Sequence, residues 1–111
     1  MPRAKRLIQG EVTIDGFPLV WHLHREQQGS SWEGWQGMSI HVRVVGIVRR
    51  ELFLEYPAVS ERKVGRIRTE PARPAIIPAK VEDHIREAMA AGWNPESRGK
   101  PFVYQVAELP N

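Results

Sequence analysis

The chain of 111 residues contains no cysteine. Without thiols there is no disulfide framework, no thiolate zinc site and no cysteine nucleophile, so proteins of those classes are excluded. The chain also lacks an apolar run of the roughly twenty residues that a membrane-spanning helix needs. At the basic amino terminus only Leu7 and Ile8 precede Gln9, which is too short an apolar run for a signal peptide. We therefore expect a cytoplasmic protein without membrane contact.

The chain also has only a small excess of positive charge. Sixteen Lys and Arg against thirteen Asp and Glu give a net charge of +3, and 41% of residues are hydrophobic. These are ordinary globular values, and a chain of this length has material for one core. We predict a single domain over residues 1–111. Twelve of the sixteen cations are arginine, the side chain suited to bidentate binding of carboxylates and phosphates.

The first half of the chain has the alternating pattern of an antiparallel meander. Asp15-Gly16 is a hairpin signal between strands at about 6–14 and 17–25. Two further alternating segments, 38–44 and 51–56, predict a third and a fourth strand. The apolar positions align when Gly10 and Val42 each lie opposite Trp21, and when Val42 lies opposite Leu54.

The second half of the chain begins with a basic connection over residues 57–78 that is marked by four prolines. Apolar residues at helical spacing then predict a helix over about 79–91, closed by Gly92. A last alternating segment at 101–107 predicts one more strand. The predicted fold class is α+β: an antiparallel sheet of about five strands with one main helix packed on one face.

The segment from Gly92 to Phe102 reads GWNPESRGKPF. It resembles a C-terminal motif, G-W-[DN]-P-x-S-R-G-K-P-F, of a group of small bacterial proteins of unknown function. Weaker similarity extends to the hairpin, to Gly34-Trp35 and to the fourth strand ending at Pro57. The resemblance implies a bacterial cytoplasmic setting and a fold like the predicted one, but no catalytic residues. Turn and packing roles explain the motif better than a binding site does.

One polar row on the predicted sheet suggests a metal site. With His22 opposite His41 and Val42 opposite Leu54, Glu55 is expected beside His41. Two imidazoles and a carboxylate can bind zinc or iron. The alternative is a solvated sheet face whose polar residues simply alternate with the core.

Basic segments combined with an exposed indole would suit single-stranded nucleic acid, because cations meet phosphates while the ring stacks on a base. Trp32 lies in a loop with glycine and polar residues and is the candidate for stacking. The candidate cations are Arg62, Lys63, Arg66, Arg68, Arg73, Arg98 and Lys100. Each of these segments alone is equally explained as a solvated surface.

A third possibility is association with a protein. Leu7, Val20, Val45 and Phe53 fall on the sheet face opposite the predicted core, which makes that face unusually apolar. No nucleophile motif or phosphate loop is present, so we predict neither catalytic residues nor a cofactor. The sequence favours a small non-enzymatic binding protein, with a protein partner or a homodimer preferred to nucleic acid.

Overall fold

The structure, a computed structural model, describes residues 6–30, 34–46, 49–58 and 75–111. No helix in these ranges is long and apolar enough to cross a membrane. The elements are β1 (Gln9–Ile14), β2 (Phe17–Arg25), β3 (Gln28–Ser30), β4 (Gly34–Gln36), β5 (Ser39–Val44), β6 (Leu52–Glu55), α1 (Pro78–Ala90) and β7 (Phe102–Gln105). Five strands form one sheet in the order β1-β2-β5-β6-β7. The predicted α+β class is thereby confirmed, with one helix among the residues that the structure describes.

The predicted registers of the first three long strands are confirmed. The turn at Asp15-Gly16 has positive φ at both residues, 52° and 84°, as a type I′ hairpin requires. Gly10 lies opposite Trp21, and a Cβ at Gly10 would stand 2.7 Å from the indole ring. The indole therefore fills the space that the missing side chain leaves. Trp21 in turn lies opposite Val42 on β5.

The predicted register of the next pair, β5 with β6, is wrong by two residues. Leu54 lies opposite Ile40, and Val42 lies opposite Leu52. A shift of two residues keeps every apolar side chain on the same face, because side chains alternate with a period of two. The alternation in the sequence is therefore equally satisfied by both registers.

The sheet differs from a purely antiparallel one at its last strand. The strand β7 pairs parallel to β6, with Phe102 opposite Leu52, since the helix returns the chain to the same end of the sheet. The loop before β5 also contains a small hairpin of β3 and β4, which the sequence did not predict. Of the predicted basic connection at 57–78, residues 59–74 lie outside the described residues.

The helix begins at Pro78, where a missing N–H costs nothing because that group has no partner inside the helix. It ends in a Schellman motif. The N–H of Trp93 donates to the carbonyl of Ala88 at 3.0 Å, and that of Gly92 donates to Met89 at 3.1 Å. Gly92 has φ 124°, as expected for the residue after the C-cap. The predicted helix and its glycine stop are confirmed within one residue at each end.

The hydrophobic core lies between α1 and one face of the sheet. The helix contributes Val81, Ile85 and Ala88 to it. Trp93 closes the core beside the last turn, and its indole N–H donates to the carbonyl of Arg50 at 3.0 Å. This packing role agrees with the structural interpretation of the 92–102 motif. The opposite face of the sheet is covered by no described helix or strand, and we call it the open face.

Candidate binding face

One row of side chains crosses the open face through all five strands. Gln9 lies opposite His22, and His22 opposite His41. His41 lies opposite Phe53, and Phe53 opposite Val103 on the last strand. The middle of the row is aromatic, and its β7 end is the exposed side chain of Val103, at 54%. The alternation of each strand therefore produces a continuous band of rings and aliphatic groups.

The aromatic part of the row is a packed cluster. The ring of His41 lies 4.9 Å from that of His22 and 4.9 Å from that of Phe53. The ring of His24 lies 4.9 Å from that of Phe53 and 6.4 Å from that of His41. These separations fall in the range of interacting aromatic pairs. We call the four residues His22, His24, His41 and Phe53 the ring cluster.

A β-bulge brings His24 and Arg25 to this face together. The register of β2 on β5 shifts between Leu23 and Arg25, and a bulge of this kind re-aims the side chains around it. The Arg25 guanidinium donates to Glu55 at 2.7 Å and to the carbonyl of Gly37 at 3.0 Å. Arg25 is thus fixed beside the ring cluster as half of an ion pair.

The electrostatics within the ring cluster oppose protonation of His22. Burial, and then the charges of His41, His24 and Arg43, lower the pKa of His22 from its ordinary value. His41 has a carboxylate neighbour, since its Nε2 lies 3.0 Å from Glu51 Oε2. That Nε2 makes no hydrogen bond within the described residues, so the contact has the distance of an ion pair but not the geometry of a hydrogen bond.

The predicted metal row of His22, His41 and Glu55 is corrected by the register of β6. The two histidines are neighbours as predicted, but Phe53 occupies the place expected for Glu55. Glu55 lies opposite Ser39 instead and pairs with Arg25. Among the described residues no three histidine or carboxylate side chains are grouped to hold a metal ion.

The predicted basic site is described only in part. Arg98 and Lys100 are exposed in the turn before β7. Arg50 organises this turn: its N–H donates to Ser97 at 2.8 Å, its Nε donates to the carbonyl of Lys100 at 2.9 Å, and its guanidinium stacks 5.1 Å above the ring centre of Phe102. The remaining candidates, Trp32, Arg62, Lys63, Arg66, Arg68 and Arg73, lie outside the described residues.

A polar group in the core was not predicted from the sequence. His84 on α1 is 0% exposed. Its Nδ1 lies 3.0 Å from the hydroxyl of Tyr56, and its Nε2 lies 3.2 Å from the carboxylate of Glu108. If Glu108 is ionised it accepts the Nε2 proton, so the Tyr56 hydroxyl donates to Nδ1. The signal for burial was present, since His84 is three residues after Val81 and next to Ile85.

This group links the helix, the end of β6 and the C-terminal segment. Burial raises the pKa of Tyr56, with a smaller contribution from Glu87, so the phenol stays protonated and remains a hydrogen-bond donor. The amide of Ile77 donates to the carbonyl of Pro110 at 2.7 Å and holds the same segment. Satisfied hydrogen bonds at a buried histidine indicate a structural role.

Comparison of the chain with family models, with characterised proteins and with solved structures finds no match. The resemblance of the 92–102 motif to a bacterial group therefore stays an expectation.

Proposed function

We propose that this protein acts by binding and that it associates with a second copy of itself through the open face. The observation that carries the proposal is the band from Gln9 to Val103, in which a ring cluster and an exposed valine lie on a sheet surface that no described element covers. Aromatic side chains and arginine are enriched at protein interfaces. We keep the cytoplasmic and bacterial setting expected from the sequence as part of the proposal.

The apolar residues around the band extend the surface. Leu7 and Val45 are exposed, and Val20 and Phe53 are half-buried at the centre. Burial of such groups against a partner is favourable by about 25 cal/mol for each Å² of apolar surface removed from water. These four residues are the ones that the sequence pattern placed opposite the core, and Val103 adds a fifth.

The charges of the open face favour a protein surface over nucleic acid. Arg25 and Arg43 supply two positive charges, while Glu11, Glu51 and Glu55 supply three negative ones. With neutral histidines the face is therefore close to neutrality. A nucleic-acid footprint needs an excess of cations, whereas two nearly neutral faces can approach each other without net repulsion. This balance is the argument for a second copy as the occupant.

Sedimentation equilibrium tests the proposal with a matched pair of variants. Val103→Asp adds a carboxylate to the open face at an exposed position, where it removes no side chain from the core. Ala79→Asp adds the same charge at an exposed position of α1. We expect the unmodified chain and Ala79→Asp to form the same dimer at about 100 µM. We expect Val103→Asp to dissociate at least about tenfold more readily, because a buried unpaired carboxylate is costly.

The contrary results are clear. A chain that remains monomeric up to about 1 mM has no useful self-affinity and contradicts the proposal. If Ala79→Asp and Val103→Asp weaken the dimer equally, the effect is one of charge in general, and the open face is not the dimer interface.

One observation favours a second candidate, binding of single-stranded nucleic acid. The bonds from Arg50 to the 97–100 turn bring Arg98 and Lys100 to the same end of the sheet as Arg49 and Arg50. An oligonucleotide titration followed by tryptophan fluorescence tests it. Quenching at about 50 mM salt that is lost at high salt supports this candidate, and unchanged fluorescence at low salt excludes it.

A further inference from the structure

The open face carries three of the four histidines of the chain. Their rings form one contiguous group with Phe53, at separations of 4.9–6.4 Å. Histidine is the side chain whose ordinary pKa lies closest to physiological pH. A face with three adjacent imidazoles can therefore change its charge by up to three units within a small pH interval.

The charged groups that face these imidazoles come from four strands. They are Glu11 on β1, Arg25 on β2, Arg43 on β5, and Glu51 and Glu55 beside or on β6. The fifth strand, β7, presents only the uncharged Val103 and Gln105.

These neighbours compensate little of the charge that protonation would create. Arg25 and Glu55 neutralise each other at 2.7 Å. Glu51 lies within ion-pair distance of His41 alone. Within the described residues, His22 and His24 have no carboxylate at that distance, and Arg43 is one of the charges that act against His22. Acidification therefore leaves at least two imidazolium groups uncompensated on this face.

We propose that the three histidines make self-association through the open face acid-sensitive, so that two copies pair when the imidazoles are neutral and separate when they take up protons. This inference rests on the proposed function, because it assigns regulation to the same face. The structure supplies the geometry for it, namely three imidazoles in the middle of the surface that a second copy would cover.

The direction follows from linkage. Covering the face removes water from the imidazoles and brings six of them together, which disfavours their charged form in the dimer. Association is therefore weaker when the imidazoles carry protons, so the dissociation constant rises as the pH falls into the range where histidine side chains ordinarily take up protons. We expect a dissociation constant at least about tenfold larger at about pH 5.5 than at about pH 7.5.

The test is a dilution series by sedimentation at both pH values, with a chelator present throughout so that no metal ion bridges the imidazoles. The variant His22→Gln/His24→Gln removes two of the three imidazoles and keeps polar side chains at both positions. The buried His84 lies on the other side of the sheet and is present in both proteins. It therefore cannot cause a difference in acid sensitivity between them. Far-UV circular dichroism at both pH values checks that the fold is intact.

Each outcome decides something different. A dimer that weakens at about pH 5.5 in the unmodified chain, but much less in the double variant, supports the inference. Equal affinity at the two pH values overturns the inference and leaves the proposed function standing. Absence of a dimer at about pH 7.5 contradicts the proposed function itself. A double variant as acid-sensitive as the unmodified chain overturns the assignment to His22 and His24.

Discussion

The two faces of the sheet differ in composition and in burial, although both arise from the same alternation of side chains along the strands. On the covered face, Leu19, Trp21, Ile40, Val42 and Leu54 are buried under α1. On the open face the intervening positions hold the ring cluster, the Arg25–Glu55 ion pair and exposed valines. No described element covers them. The covered face is explained fully by folding, because each side chain in it removes apolar surface from water. Folding does not explain the aromatic and aliphatic side chains of the open face in the same way, because these side chains are not buried under α1. They are the reason for proposing a binding surface there.

The two sides of the sheet also differ in how buried imidazoles are bonded. The buried imidazole of His84 on the covered side is bonded at both ring nitrogens. The Nε2 of His41 on the open side is buried without a hydrogen bond in the described part of the chain. The nearest charged partner of this Nε2 is the Glu51 carboxylate at 3.0 Å, so the open side holds its buried imidazole by an ion-pair contact and the covered side by hydrogen bonds at both ring nitrogens.

The largest expected effect separates the two faces by stability. Ile85→Ala removes a fully buried side chain from α1 and leaves a cavity in the core. We expect a loss of about 2–5 kcal/mol in the free energy of unfolding, measured by urea denaturation. The matched truncation Val103→Ala on the open face should change it by less than about 0.5 kcal/mol in the monomer. Similar losses for both would remove the distinction between the faces.

A smaller effect is expected from the buried hydrogen bonds of His84. Tyr56→Phe deletes the hydroxyl and leaves Nδ1 of His84 without a partner in the core. We expect this substitution to lower the free energy of unfolding by about 1–3 kcal/mol. Tyr104→Phe is the control, because its hydroxyl contacts Glu87 at the surface. If the two substitutions cost the same, the buried bond has no special role.

The smallest effect is the pH dependence of monomer stability. The pKa of His22 is lowered in the folded chain, so below its ordinary value near 6.5 the unfolded chain binds more protons than the folded one. The contribution of His22 to the free energy of unfolding is therefore fully present above that pH and is lost as the pH falls below it. His22→Gln should flatten this part of the plot of unfolding free energy against pH, measured by denaturation at low protein concentration. An unchanged slope in the variant would assign the effect to another group.

Much of the fold was predictable because alternation and turn chemistry are local. The turn at Asp15-Gly16 predicted both the first hairpin and its register, which places Gly10 opposite Trp21. The stop at Gly92 was equally readable, since the Schellman motif depends on one residue type at one place.

The candidate site was less predictable because it depends on how strands pair at a distance. His22 beside His41 followed from the apolar alignment, but the β5–β6 register has two solutions that bury the same side chains. The structure selects the one that places Phe53 rather than Glu55 beside His41. The bulge at His24 and the parallel pairing of β7 likewise arise from tertiary packing and leave no local pattern.

A concentration series of ¹H–¹⁵N NMR spectra at about pH 7.5 tests self-association through the open face residue by residue. Self-association through the open face predicts that amide shifts change with concentration at Gln9, His22, Phe53 and Val103, while those of Val81 and Ile85 on α1 stay constant. Shifts that are constant everywhere up to about 1 mM, or that change on α1 instead, would show that the open face is not a surface of self-association.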